Sequence, residues 1–88
     1  MSDSRKTVDH KTIRQWIEHR QGRPAIVKST EKDGGGLLRV DFQEPDESLA
    51  PVSWEHFFEI FDSRKLAFLY QDRTAEGKES RFNKFVER

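Results

Sequence analysis

Val52-Ser53-Trp54-Glu55-His56-Phe57-Phe58-Glu59-Ile60-Phe61 (residues 52–61) is the stretch that decides the fold. Val52 stands just outside Ser53, a good N-cap, and Phe57 falls at the fourth helical position, the arrangement of a hydrophobic staple. Trp54, Phe57, Phe58 and Phe61 recur at i, i+3, i+4 and i+7, so a helix here carries a wide aromatic stripe toward a core while Glu55, His56 and Glu59 face outward. Apolar residues are scarce, 33% against 36% charged. A core is still attainable because seven Phe, two Trp and one Tyr each bury a large area. Eighty-eight residues then suit one small domain.

The same start signal occurs upstream. Val8-Asp9 stands to Ile13 as Val52-Ser53 stands to Phe57, and Ile13, Trp16 and Ile17 continue the helical spacing, which predicts a helix from about Asp9 to Gln21. Gly22 is expected to end it in a left-handed conformation, with Pro24 preventing its resumption. Between the helices, Ala25-Ile26-Val27-Lys28-Ser29-Thr30 reads as a strand. Asp33-Gly34-Gly35-Gly36 reads as a turn, and Leu38, Val40 and Phe42 alternate with Leu37, Arg39 and Asp41 as a second strand, making a hairpin. Residues 43–51 are an acidic, proline-containing loop. After the second helix, Lys65-Leu66-Ala67-Phe68-Leu69-Tyr70-Gln71 is apolar on both faces and short, as a central strand would be.

The expected fold class is α+β, a single small domain in the order α-β-β-α-β. A helix between the second and third strands favours a parallel crossover, giving a three-stranded sheet of order 2-1-3 packed on both helices; an antiparallel meander is the alternative. Residues 1–7 are expected to fray, 8–72 to form the domain, and 73–88 to be a charged C-terminal tail. In that tail Phe82, Phe85 and Val86 recur at helical spacing. They either dock on the core as a final turn or stay exposed as an apolar anchor for a partner protein.

Net charge is zero, but Lys and Arg minus Asp and Glu come to +4 over residues 1–30, −7 over 31–62 and +3 over 63–88. Lys11, Arg14, Arg20, Arg23 and Lys28 are the candidate phosphate contacts, as a basic edge running off the first helix, interrupted by Glu18. Cysteine is absent, which excludes disulfides and thiolate chemistry. The opening residues contain no apolar run and nothing approaches a membrane span, so the expectation is a cytoplasmic chain with no membrane partner.

Catalytic, metal and cofactor constellations do not emerge. His10, His19 and His56 lack the i, i+4 spacing of helical metal ligands. Asp41, Glu44, Asp46 and Glu47 lack the punctuation of a calcium loop. Gly34-Gly35-Gly36 leads into a strand rather than a phosphate-binding helix, and Ser53 is an N-cap rather than a nucleophile. Sugar stacking would require an exposed Trp16 or Trp54, whereas their spacing predicts burial.

Read together, residues 12–30, 36–42, 51–72 and 80–88 resemble a family of small bacterial proteins of unknown function, often catalogued as 1,4-α-glucan branching enzyme. Branching enzymes act through a (β/α)₈ barrel of about 250 residues, which 88 residues cannot hold. The resemblance therefore implies a lineage and transfers no catalytic residue. The expected function is a non-enzymatic protein-interaction or regulatory module, with nucleic-acid binding as the alternative.

Overall fold

The computed structural model describes residues 4–31, 35–42 and 46–88. Its elements are β1 (Ser4–Thr7), α1 (His10–His19), β2 (Arg23–Val27), a 3₁₀ turn (Lys28–Thr30), β3 (Leu38–Asp41), β4 (Leu49–Pro51), α2 (Trp54–Ser63), β5 (Leu66–Gln71) and β6 (Asn83–Glu87). They make an α+β domain with two antiparallel three-stranded sheets, ordered β1-β5-β6 and β3-β2-β4. Among the described residues no helix is long and apolar enough to cross a membrane.

Both helix starts form as their residues dictate. Asp9 caps α1 by accepting from the Thr12 amide at 3.0 Å, and Ser53 caps α2 by accepting from the His56 amide at 3.1 Å. The end of α1 differs from expectation in one respect. Gln21, not Gly22, takes the left-handed conformation, with φ 60°. Gly22 is needed for room: a Cβ there would sit 2.8 Å from Val40 Cγ1 and 2.9 Å from Ile17 Cγ2, closer than packed carbons tolerate.

The core gathers Ile13, Trp16 and Ile17 from α1, Phe57, Ile60 and Phe61 from α2, Ile26, Leu38 and Val40 from one sheet, and Phe68 and Tyr70 from the other. Helix α2 touches β2, β3 and β5, so it joins the two sheets. Its buried face centres on Phe57, Ile60 and Phe61, leaving Trp54 and Phe58 half-buried rather than enclosed.

The single sheet of order 2-1-3 is not what forms. The hairpin is present as β2 and β3, but β5 does not join it by a parallel crossover. It lies antiparallel between β1 and β6, two segments expected to be a frayed terminus and a tail. Residues 4–7 pair with 68–71 of β5; residues 1–3 lie outside the described residues. The second neighbour of β2 is β4, within the segment expected to be a loop. Pro51 is compatible with that place because β4 is an edge strand, where one backbone position can lack a donor. The helical spacing of Phe82, Phe85 and Val86 proves to be strand β6, which holds Phe85 and Val86 and starts just after Phe82, since three apolar positions in five residues do not separate a period of 3.6 from one of 2. Asp33 and Gly34 of the expected turn, and Glu44 of the acidic loop, lie outside the described residues.

Candidate interaction edge

The basic residues singled out along α1 do not form one surface. Lys11 and Lys28 are exposed and have no ion pair among the described residues. Arg14 pairs with Glu18 at 3.4 Å and lies 5.5 Å from the Trp54 ring centroid. Arg23 pairs with Asp41 at 3.7 Å. Arg20 turns inward: only 7% of it is exposed. Its Nε donates to the Ser80 carbonyl at 2.6 Å, Nη2 to Asp72 at 3.0 Å and Nη1 to Trp16 at 3.1 Å. Its guanidinium lies 4.1 Å from the Trp16 ring centroid. Burial lowers the Arg20 pKa, opposed by Glu79 and Asp72, and an arginine remains a cation at neutral pH all the same. It clamps α1 to the segment between β5 and β6 and cannot also meet a phosphate. Sequence spacing had no means of separating it from its exposed neighbours, because its partners are carbonyls 52 and 60 positions away.

Asp41, Asp46, His10 and His19 among the acidic and histidine candidates have structural partners. Asp46 accepts from the Ser48 amide at 2.8 Å and hydroxyl at 2.6 Å, closing a local turn that holds its carboxyl below the usual range. His19 pairs with Glu79 at 3.2 Å. His10 stacks on Phe58, centroids 4.1 Å apart, and its Nε2 lies 2.9 Å from Asp62. Arg88 Nη2 donates to the same carboxylate at 2.7 Å. Among the described residues no group of three His, Cys, Asp or Glu could hold a metal ion.

That cluster fastens the start of α1 and the C-terminal residue to the end of α2. The hydrogen bond with His10 is the main cause holding the Asp62 carboxyl below its ordinary 3.8, with Arg88 adding to it, against some desolvation. A carboxyl whose pKa is depressed on folding adds stability above its unfolded value and loses it as pH falls through the folded one. The melting-temperature gap between wild type and Asp62→Asn is therefore expected to be fully present above the ordinary carboxylate range and to shrink as pH falls below about 4. A gap that stayed constant down to pH 2 would refute the assignment.

The C-terminal candidates part company. Phe85 is half-buried, its ring centroid 5.4 Å from Phe68, 5.7 Å from Phe57 and 6.4 Å from Phe61. Val86 is half-buried on the opposite face of β6, and Phe82 is 40% exposed. The strand itself offers more than these side chains do. The Gln71 amide donates to the Phe82 carbonyl at 3.3 Å and the Arg88 amide to the Lys65 carbonyl at 3.1 Å. Antiparallel ladders alternate bonded and non-bonded residues. With Phe68 opposite Phe85, Lys84 and Val86 therefore bond to β5, and the N–H and C=O groups of Asn83, Phe85 and Glu87 point off the sheet.

Strand β3 is also an edge. The Val27 amide donates to the Leu37 carbonyl at 2.9 Å, so by the same alternation Leu38 and Val40 turn their backbone groups away from β2. Arg39 and Val40 from β3 and Asn83, Lys84 and Phe85 from β6 line one groove. Arg81 lies nearby in sequence, its guanidinium 5.2 Å from the Phe42 ring centroid. Arg39, Arg81 and Lys84 have no ion pair among the described residues. The spacing of Phe82, Phe85 and Val86 drew attention to this segment, but the edge itself was invisible until β6 had a neighbour. The chain matches no protein-family model, no curated protein and no solved structure, so its function has to be argued from this surface.

Proposed function

We propose that this chain is a non-enzymatic protein-interaction module, and that its docking element is the free edge of β6 rather than a loose apolar tail. The observation that carries the reading is the outward row of backbone groups on Asn83, Phe85 and Glu87, in the longest of the four edge strands among the described residues. Unpaired strand edges are templates for a further strand, and strand addition is a recurrent mode of peptide capture. Strand β4 is shorter and ends in Pro51, and β1 has four residues.

Phosphate binding along α1 is the weaker reading, because Arg20 is committed to carbonyls and Arg14 and Arg23 to carboxylates. The resemblance to the small bacterial family is read as kinship alone. Glycan branching forms no part of the proposal: Trp16 lies beneath Arg20, and Trp54 is packed against Phe57 and Phe58.

Asn83→Pro tests the reading directly. It deletes an outward amide without touching the β5–β6 bonds, a place where an edge strand tolerates proline. The variant is expected to melt within about 4 °C of wild type, a change worth at most about 1 kcal/mol, and to lose the proteins that wild type captures through cross-links at Phe82 or Lys84. Capture of the same proteins in equal yield by both would reject the edge as the docking element.

A further inference from the structure

We propose that the groove between β6 and β3 selects an extended segment in which Asp or Glu alternates with apolar residues, an inference that rests on β6 being the docking edge. Two observations specify that chemistry. Phe85 and Val40, both packed on the core, meet in the groove wall, so one face of an added strand finds apolar surface. Arg39 and Lys84, both exposed and without an ion pair among the described residues, meet its other face. Successive side chains of a strand point to opposite faces, and a strand alternating acid with apolar residues satisfies both.

The same charges disfavour a second copy of this chain. Antiparallel self-pairing must match the outward residues Asn83, Phe85 and Glu87 with each other. With Phe85 opposite Phe85, Lys84 is diagonal to Lys84 and Arg88 of the copy. With Asn83 opposite Phe85, Lys84 faces Lys84, and with Phe85 opposite Glu87 it faces Arg88. Like charges across a ladder are destabilising, and a lysine on an edge strand is a common guard against self-association. A phosphate backbone fits less well than a peptide backbone, since phosphates only accept hydrogen bonds and leave the outward carbonyls of β6 without donors.

The test uses the full chain and three probes: a blocked peptide alternating valine with glutamate, its valine–lysine counterpart, and single-stranded oligothymidine. The glutamate peptide is expected to slow amide exchange at Asn83, Phe85 and Glu87 and to bind about tenfold more tightly than the lysine peptide, in keeping with a few cross-strand charge pairs. Its advantage should shrink with added salt. Lys84→Glu, at an exposed site and with an unchanged melting temperature, should erase that preference. Equal binding and equal protection by the lysine peptide would overturn the charge selection while leaving the edge as a docking element. Protection by neither peptide would overturn both. Tighter binding of oligothymidine than of the glutamate peptide, with no amide protection, would replace the proposal with a phosphate groove.

Discussion

A chain cut before Ser80 is expected to lose its cooperative thermal transition. Strand β6 gives the central strand β5 one of its two neighbours through five register pairs, and Phe85 reaches Phe57, Phe61 and Phe68. Ser80 itself is 3% exposed, donates to Gln71 Oε1 at 2.8 Å and offers its carbonyl to Arg20. Arg88 closes the other end through the Leu66 carbonyl at 2.6 Å and Asp62. Losing Phe85 alone costs about 3 kcal/mol by analogy with buried Phe→Ala changes, discounted somewhat for its partial exposure. A domain of this size has about 4–13 kcal/mol in all, and the cut also strips β5 of one of its two ladders. Near-ultraviolet circular dichroism should show no sigmoidal melt. Phe85→Ala in the full chain should retain one, lowered by at least about 10 °C, while Phe82→Ala should change little. A truncated chain melting near wild type would mean that β6 is a detachable tail.

Arg20→Met is expected to destabilise the fold by about 2–4 kcal/mol. The replacement keeps an apolar stem against Trp16 but removes donors from the carbonyls of Trp16, Asp72 and Ser80. Hydrogen bonds to a charged group contribute about 1.5–3 kcal/mol each, and a buried acceptor left without a donor adds its own desolvation cost. Desolvation of the cation offsets part of that sum. Arg20→Lys should recover only part of the loss, because an ammonium cannot reach three carbonyls with the planar fork of a guanidinium. Chemical denaturation of the three proteins measures this; a loss below about 1 kcal/mol for Arg20→Met would show that the clamp is incidental. The same result bears on function, since a structural Arg20 is not a phosphate ligand.

These effects concern contacts between residues far apart in the chain, and that distance separates what was legible in the sequence from what was not. Ser53 and Asp9 announced their helices because a cap and its amide are three residues apart, and Ile13, Trp16 and Ile17 were identifiable as core by their spacing alone. The β2–β3 hairpin followed from a short, partly β-branched run before a glycine-rich stretch and an alternating run after it. The candidate site was legible only as a suspicion about Phe82, Phe85 and Val86.

By itself, then, the sequence determined an α+β class, two capped helices, a hairpin and the apolar strand β5, each through interactions spanning a few residues. Tertiary structure alone decided that β5 lies between β1 and β6 rather than beside β2, that Leu49–Pro51 forms an edge, and that Arg20 turns inward while Lys84 stays out. The physical reason is that a strand's hydrogen-bonding edge carries no side-chain signature. Which segment satisfies it depends on where the packed core leaves a matching edge, and only the folded chain reveals which edges remain free.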